Sequence, residues 1–225
     1  MADRFALVTG AAGAVGQELC RILTRIGLRP IALARHKGDL DFIEQETDCL
    51  AIYADLADSL ELDNRLEALV PIGTALEAAF LVASPPPSLQ QIGRVSYEDC
   101  EYFLRVNVVA NHVILKRLLA LSFRTKREGK IVGVLSEAAG IPGSPPSKLF
   151  GAYAISKTSL SALLNQYQAD YPWLLVRQLR LGLIDTPMLD SFNSLIIEKL
   201  EEKRARISAT EAAMSIVKEV YFNEI

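Results

Sequence analysis

The stretch that most restricts how this chain can fold is Thr9-Gly10-Ala11-Ala12-Gly13-Ala14-Val15-Gly16. It joins an apolar, strand-like run, Arg4–Thr9, to a helical pattern over Gly16–Ile26. Glycines permit a tight turn and, lacking Cβ, let backbone N–H groups come close to an anion. The first turn of a helix carries partial positive charge, which suits a pyrophosphate. A G-x-x-G-x-x-G turn between a strand and a helix therefore predicts a dinucleotide loop built from Gly10, Ala12, Gly13, Val15 and Gly16. The alternative is a turn of small residues that holds no ligand.

The same alternation runs down the chain. Strand-like runs at Pro30–Ala34, Leu50–Tyr53, Ala78–Val82, Lys130–Ser136 and Leu174–Leu179 are separated by helical patterns. Those patterns cover Asp39–Glu46, Ser59–Leu69, Glu98–Arg124 and Leu149–Ala169, and the tail adds Ser194–Arg206 and Thr210–Tyr221. Strand–helix alternation predicts an α/β fold: a doubly wound, Rossmann-type parallel sheet of about six strands with helices on both faces. At 225 residues with no Gly/Ser linker, the chain reads as one domain, 1–225.

Composition removes several classes. Half the residues are hydrophobic and the net charge is −3, unlike a disordered chain or a nucleic-acid binder. Apolar runs fall short of the ~20 residues of a membrane span, and the first residues lack a separate apolar core and cleavage site, so no signal peptide is expected. Three cysteines, Cys20, Cys49 and Cys100, stand without CxxC spacing. Neither a disulfide framework nor a metal site is expected, and a cytoplasmic location is.

Chemistry-bearing residues fall at predicted strand ends and on two helices. After the second strand, Ala34 stands where an acid would bind a ribose 2′-hydroxyl, and Arg35 follows; a guanidinium suits a 2′-phosphate. The alternative for Arg35 is a solvated basic loop. Asp55, beside Leu56, ends the third strand and either accepts from an adenine amino group or caps the next turn. Ser136 ends the fifth strand, where a hydroxyl could meet a substrate carbonyl. Asn107 lies mid-helix beside an apolar stripe, as a satisfied core amide or as a holder of bound water. Tyr153 and Lys157, four apart, share a helix face. Alone they could be two solvated residues. Next to a nucleotide, a phenol of pKa near 10 needs a downward shift of about 3 units to work near neutral pH, and a neighbouring ammonium favours that shift.

Taken in order, Thr9-Gly10-x-x-Gly13-x-x-Gly16, Asp55, Asn107, Ser136, Tyr153-x-x-x-Lys157 and Gly182-Leu183-Ile184-Asp185-Thr186-Pro187-Met188 resemble the short-chain dehydrogenases/reductases up to about Met188. The resemblance implies an NADP(H)-dependent oxidoreductase, with NADP(H) preferred over NAD(H), that interconverts a ketone or aldehyde and an alcohol. It implies an Asn107–Ser136–Tyr153–Lys157 tetrad. Tyr153 would be the acid or base, and Lys157 would lower its pKa and bind the nicotinamide ribose. Ser136 would orient the substrate oxygen, and Asn107 would hold a relay water. Ala83, Gly182, Ile184 and Thr186 would complete the cofactor site, with Thr186 on the carboxamide.

Three departures stand out. The glycine spacing is that of longer members, Ala83-Ser84-Pro85-Pro86 replaces the family's Asn-Asn-Ala-Gly, and the chain stops before a seventh strand. The expected partners are a small carbonyl or alcohol substrate and a second copy of the chain. A homodimer through the two long helices is expected, with a homotetramer as the alternative. Residues 188–206, including Phe192, Leu195 and Ile196, read as a substrate lid. Two other functions remain open: a non-catalytic nucleotide sensor on the same scaffold, and an epimerase or dehydratase that shuttles hydride internally.

Overall fold

The computed structural model describes residues 4–141, 143–193, 197–198 and 205–224. Six parallel strands form one sheet: β1 (Phe5–Thr9), β2 (Arg29–Ala34), β3 (Leu50–Tyr53), β4 (Leu76–Leu81), β5 (Lys130–Ser136) and β6 (Leu175–Leu181). Their order is β3-β2-β1-β4-β5-β6, so the expected doubly wound architecture is present. Every residue of β1 is buried, as a strand covered on both faces requires.

Alternation along β1 divides the core. Phe5 and Leu7 face a cluster shared with α3 (Ser59–Arg65), the long helix α4 (Tyr97–Lys126) and α5 (Gly151–Asp170). Ala6 and Val8 face the opposite cluster, with α1 (Ala14–Arg25), α2 (Asp41–Glu46) and, near the end of the chain, α6 (Ala209–Tyr221). Helix α4 is long and apolar enough to cross a membrane, but it packs on the sheet as a core helix. Ser96 caps it, accepting from the Asp99 N–H at 3.0 Å.

Helix α4 is interrupted by π turns at Arg105–Val109 and Leu119–Phe123. The helix expected over Ser59–Leu69 stops at Arg65, and a 3-10 stretch carries the chain from Leu66 to Ala75. Pro71, which has no N–H to donate, lies inside that stretch. The tail pattern at Ser194–Arg206 falls largely outside the described residues, as do Leu195 and Ile196. Its flanks are tied together: β7 (Ile184–Asp185) pairs in parallel with β8 (Ile207–Ser208).

Strand order reverses between β1 and β4, so a crevice opens at their C-terminal ends. Gly10 sits there at φ +69°, and a Cβ on it would come within 2.9 Å of Ala83 Cα. Both the backbone and the close approach demand glycine. The Thr9 hydroxyl closes the joint by accepting from the N–H groups of Val82 (2.9 Å) and Ala83 (3.1 Å). That bond steadies the β4 end where the sequence carries Ala83-Ser84-Pro85-Pro86.

Candidate active site

The crevice broadens into a cleft of about 1960 Å³. Ordinary small-molecule pockets span roughly 300–1,000 Å³, so this one has room for a dinucleotide and a second molecule. One end is walled by Gly10, Ala12, Gly13, Val15 and Gly16, by Arg35, and by Asp55, Leu56 and Ala83. The far end is walled by Ser136, Tyr153 and Lys157, with Gly182, Ile184 and Thr186 alongside. Of the candidate catalytic and cofactor-binding residues, all of them among the described residues, Asn107 alone is not on the wall.

The three glycines are not equivalent. A Cβ on Gly16 would lie 2.1 Å from Gly10 O and 2.8 Å from Ala11 Cα, so helix α1 meets the turn only through glycine. A Cβ on Gly13 would meet only Gly10 O, at 3.3 Å. The first turn of α1 carries no acidic residue, so its N–H groups face the cleft without a competing carboxylate. This bare cradle fits a dinucleotide pyrophosphate. At the end of β2, Ala34 is buried, and Arg35 is exposed without a hydrogen-bond or ion-pair partner among the described residues. Asp55 caps the next turn, its Oδ1 accepting from Ala57 N–H at 2.9 Å, and it also lines the cleft.

At the far end, the Ser136 hydroxyl accepts from Ala138 N–H at 3.2 Å and lies near enough to the Tyr153 phenol to favour its ionised form. The ring of Tyr153 is held by Phe103 (centroids 6.2 Å apart, perpendicular) and Phe150 (6.1 Å). Lys157 is buried; its ammonium donates to Val134 O at 2.9 Å and lies 5.9 Å from the centre of the Tyr153 ring. Burial lowers the Lys157 pKa to about 8. The Tyr153 phenol is shifted upward: burial raises it, the nearby Ser136 hydroxyl offsets only part of the rise, and the Lys157 ammonium is engaged with the β5 backbone.

Asn107 lies behind this wall. It is wholly buried in the first π turn of α4, and its Nδ2 donates to Ser156 Oγ at 2.8 Å. Ser156 in turn donates to the backbone carbonyl of Tyr153 at 2.9 Å. The Asn107 backbone oxygen accepts from Asn111 Nδ2 at 2.7 Å. Asn107 thus fastens α4 to the first turn of α5. The sequence offered no signal for Ser156 or Asn111: both read as polar residues in helical runs. Phe150 and Phe192 (centroids 6.3 Å apart) were also hard to assign, because cleft and core aromatics look alike in a sequence.

The doubly wound sheet, the glycine cradle at its switch point and the Tyr153–Lys157 wall define a dinucleotide-dependent oxidoreductase. A model of the short chain dehydrogenase family matches residues 4–195, and the chain belongs to that family. It is accordingly an NAD(P)-dependent oxidoreductase acting on a CH–OH or carbonyl group. An uncharacterized oxidoreductase of Staphylococcus epidermidis is 22% identical over 228 residues, covering 99% of this chain and 96% of that protein. L-xylulose reductase of Caenorhabditis elegans is 28% identical over 144 residues, 61% of this chain and 55% of that one. Among solved structures, 3-ketoacyl-(acyl-carrier-protein) reductase from Brucella melitensis, complexed with NADH, superposes with a TM-score of 0.84 at 21% identity. The match covers 99% of this chain and 93% of that one, and it shows a shared fold.

Proposed function

We propose that the protein is an NADP(H)-dependent carbonyl reductase in which Tyr153 is the proton donor. The observation that carries this is the meeting of Ser136, Tyr153 and Lys157 on one wall of the cleft that begins at the glycine turn. When bound, the nicotinamide supplies a hydride, so ketone, NADPH and a proton become alcohol and NADP⁺. Ser136 orients the carbonyl oxygen, and Tyr153 delivers the proton to that oxygen as the C=O π pair moves onto it. Lys157, held on Val134 O, is the cation that favours phenolate once the proton has left. Asn107 acts through Ser156 by fixing the turn that bears Tyr153. Turnover of a reporter ketone by Tyr153→Phe should fall by more than tenfold; activity within tenfold of the parent removes Tyr153 from this role.

The preference for NADP(H) rests on Ala34 and the unpaired Arg35 at the cleft mouth. Ala34→Asp with Arg35→Leu should shift the NADPH/NADH ratio of kcat/KM towards NADH, and a parent that already prefers NADH refutes it. A homodimer through α4 and α5 is supported by the exposed Val109 and Ile155 on those helices. Light scattering on a Val109→Lys, Ile155→Lys variant should then report a monomer.

A further inference from the structure

A second, smaller recess of about 280 Å³ lies beside the cleft, between β6, α5 and the loop that follows Ser136. β6 is an edge strand, and alternate side chains along it turn towards α5. Gln178 is met there: it accepts from Ser161 Oγ at 2.6 Å and donates to Asn165 Oδ1 at 2.7 Å. Arg180, next on the same face, reaches the recess instead. It is exposed and has no hydrogen-bond or ion-pair partner among the described residues. The Thr158 hydroxyl, which lines the same recess, already donates to Ala154 O at 2.9 Å. The facing loop is fixed by its own backbone. Ser147 N–H donates to Ala138 O at 2.9 Å, Ile141 and Ser144 form an antiparallel bridge, and Gly140 turns at φ +90°. Lys157 lines the recess as well as the cleft, and with a pKa of about 8 it is charged at pH 7. Among the described residues no acid lines the recess; Glu137 belongs to the cleft wall. Two cations and no acid around so small a space match a dianion, and a guanidinium fork suits phosphoryl oxygens.

We propose that this recess binds a phosphoryl dianion, held by Arg180 with the Ser144 hydroxyl as a second donor, and that its occupation slows the enzyme. The slowing rests on the reductase function argued above: negative charge beside Lys157 offsets the cation that favours the Tyr153 phenolate. Potassium phosphate is titrated calorimetrically at pH 7, against potassium chloride of equal ionic strength. The protein is saturated with NADP⁺, so that the glycine turn and Arg35 are already occupied. Arg180→Gln should weaken phosphate binding at least tenfold and Ser144→Ala about threefold. Arg177→Gln, at another exposed arginine of β6, should stay within twofold of the parent. Acetate, with a single charge, should bind at least fivefold more weakly than phosphate. Glycerol 3-phosphate that binds more tightly than phosphate identifies an ester as the source of the group, and weaker binding identifies the free ion. No phosphate binding, binding that survives Arg180→Gln, an equal loss in Arg177→Gln, or acetate as tight as phosphate overturns the site. Saturating phosphate should lower kcat for a reporter ketone at least threefold in the parent and leave it unchanged in Arg180→Gln. A rise in the ketone KM at constant kcat puts the phosphate in the main cleft and overturns the proposal. Binding lost in Arg180→Gln, with the parent's kcat and KM unmoved, supports the site and refutes the slowing. The same binding without any ketone turnover supports the site and refutes the reductase function.

Discussion

Lys157 is a charge stored in the core, and its removal should stabilise the protein at neutral pH. Burial lowers its pKa from 10.5 to about 8. At ~1.36 kcal/mol per pKa unit, folding the protonated lysine costs about 3 kcal/mol. Lys157→Met removes that cost but also the hydrogen bond to Val134 O, worth about 1–2 kcal/mol. The net gain at pH 7 is about 1–2 kcal/mol, a rise in Tm of roughly 2–8 °C for a chain of this length. The sign reverses with pH. Below pH 8 the lysine is protonated whether folded or unfolded, and the full cost is present. As pH rises from about 8 towards 10.5 the folded form gives up its proton first and the cost fades. Near pH 10.5 the parent, which keeps its hydrogen bond, should be the more stable of the two. Urea unfolding of both proteins at pH 7, 8.5, 9.5 and 10.5, followed by Trp173 fluorescence, measures the difference. A difference that stays flat across this range refutes the reasoning, because no other consequence of Lys157→Met depends on the lysine proton.

At the opposite, N-terminal end of the central strands, Glu77 on β4 should behave in mirror image. Burial alone would raise its pKa, but hydrogen bonds and charge from Arg4 and Lys130 outweigh it and hold the carboxyl at about 2. Its stabilisation is present above the unfolded pKa near 4.3 and is lost as pH falls towards 2. Glu77→Gln should therefore cost about 2–3 kcal/mol at pH 7 and progressively less below pH 4, by thermal unfolding in an acid series. At the glycine turn, Gly16→Ala should weaken NADPH binding at least 30-fold or prevent folding, since its Cβ would strike Gly10 O. Gly13→Ala should stay within fivefold. Calorimetric titration with NADPH compares the two, and equal losses would refute the distinction drawn between these glycines. Asn107→Ala should lower kcat more than tenfold with little change in the KM for NADPH, because it acts on the Tyr153 turn and not on the cleft wall.

The parts of this fold that were legible in the sequence are those set by local pattern. Buried parallel strands announce themselves as short apolar runs, so β1 to β6 were found within two or three residues of their ends. The glycine turn was legible because its requirement is steric and confined to a few residues. What stayed hidden depends on partners far apart in the chain. Pro71 could have warned that α3 would not continue, but the 3-10 path from Leu66 to Ala75 is set by packing against α4, where Gly73 lies close to the Leu121 backbone. The β7–β8 pair is two residues on each side and carries no pattern of its own. The phenol of Tyr153 was expected to be pulled down by Lys157. Spacing along a helix says that two side chains share a face; it does not say that the ammonium will turn to Val134 O.

Asn107 and Lys157 together show how the site is held open for chemistry. Each is a buried polar group whose donor is taken up away from the cleft: the Lys157 ammonium by Val134 O, the Asn107 amide N–H by Ser156, which passes on to Tyr153 O. Asn111 braces the π turn from within α4 by donating to the Asn107 carbonyl, and the Asn107 bond to Ser156 leaves that turn little freedom to slide against α5. The Asn107 and Asn111 side-chain oxygens remain buried without a protein partner, and an unmet buried acceptor is costly. That cost buys no packing; it falls on α4, the helix that braces the one bearing Tyr153. A polar seam that fixes the angle of a single phenol, at the expense of stability, is what a residue required to give up a proton at one defined point demands.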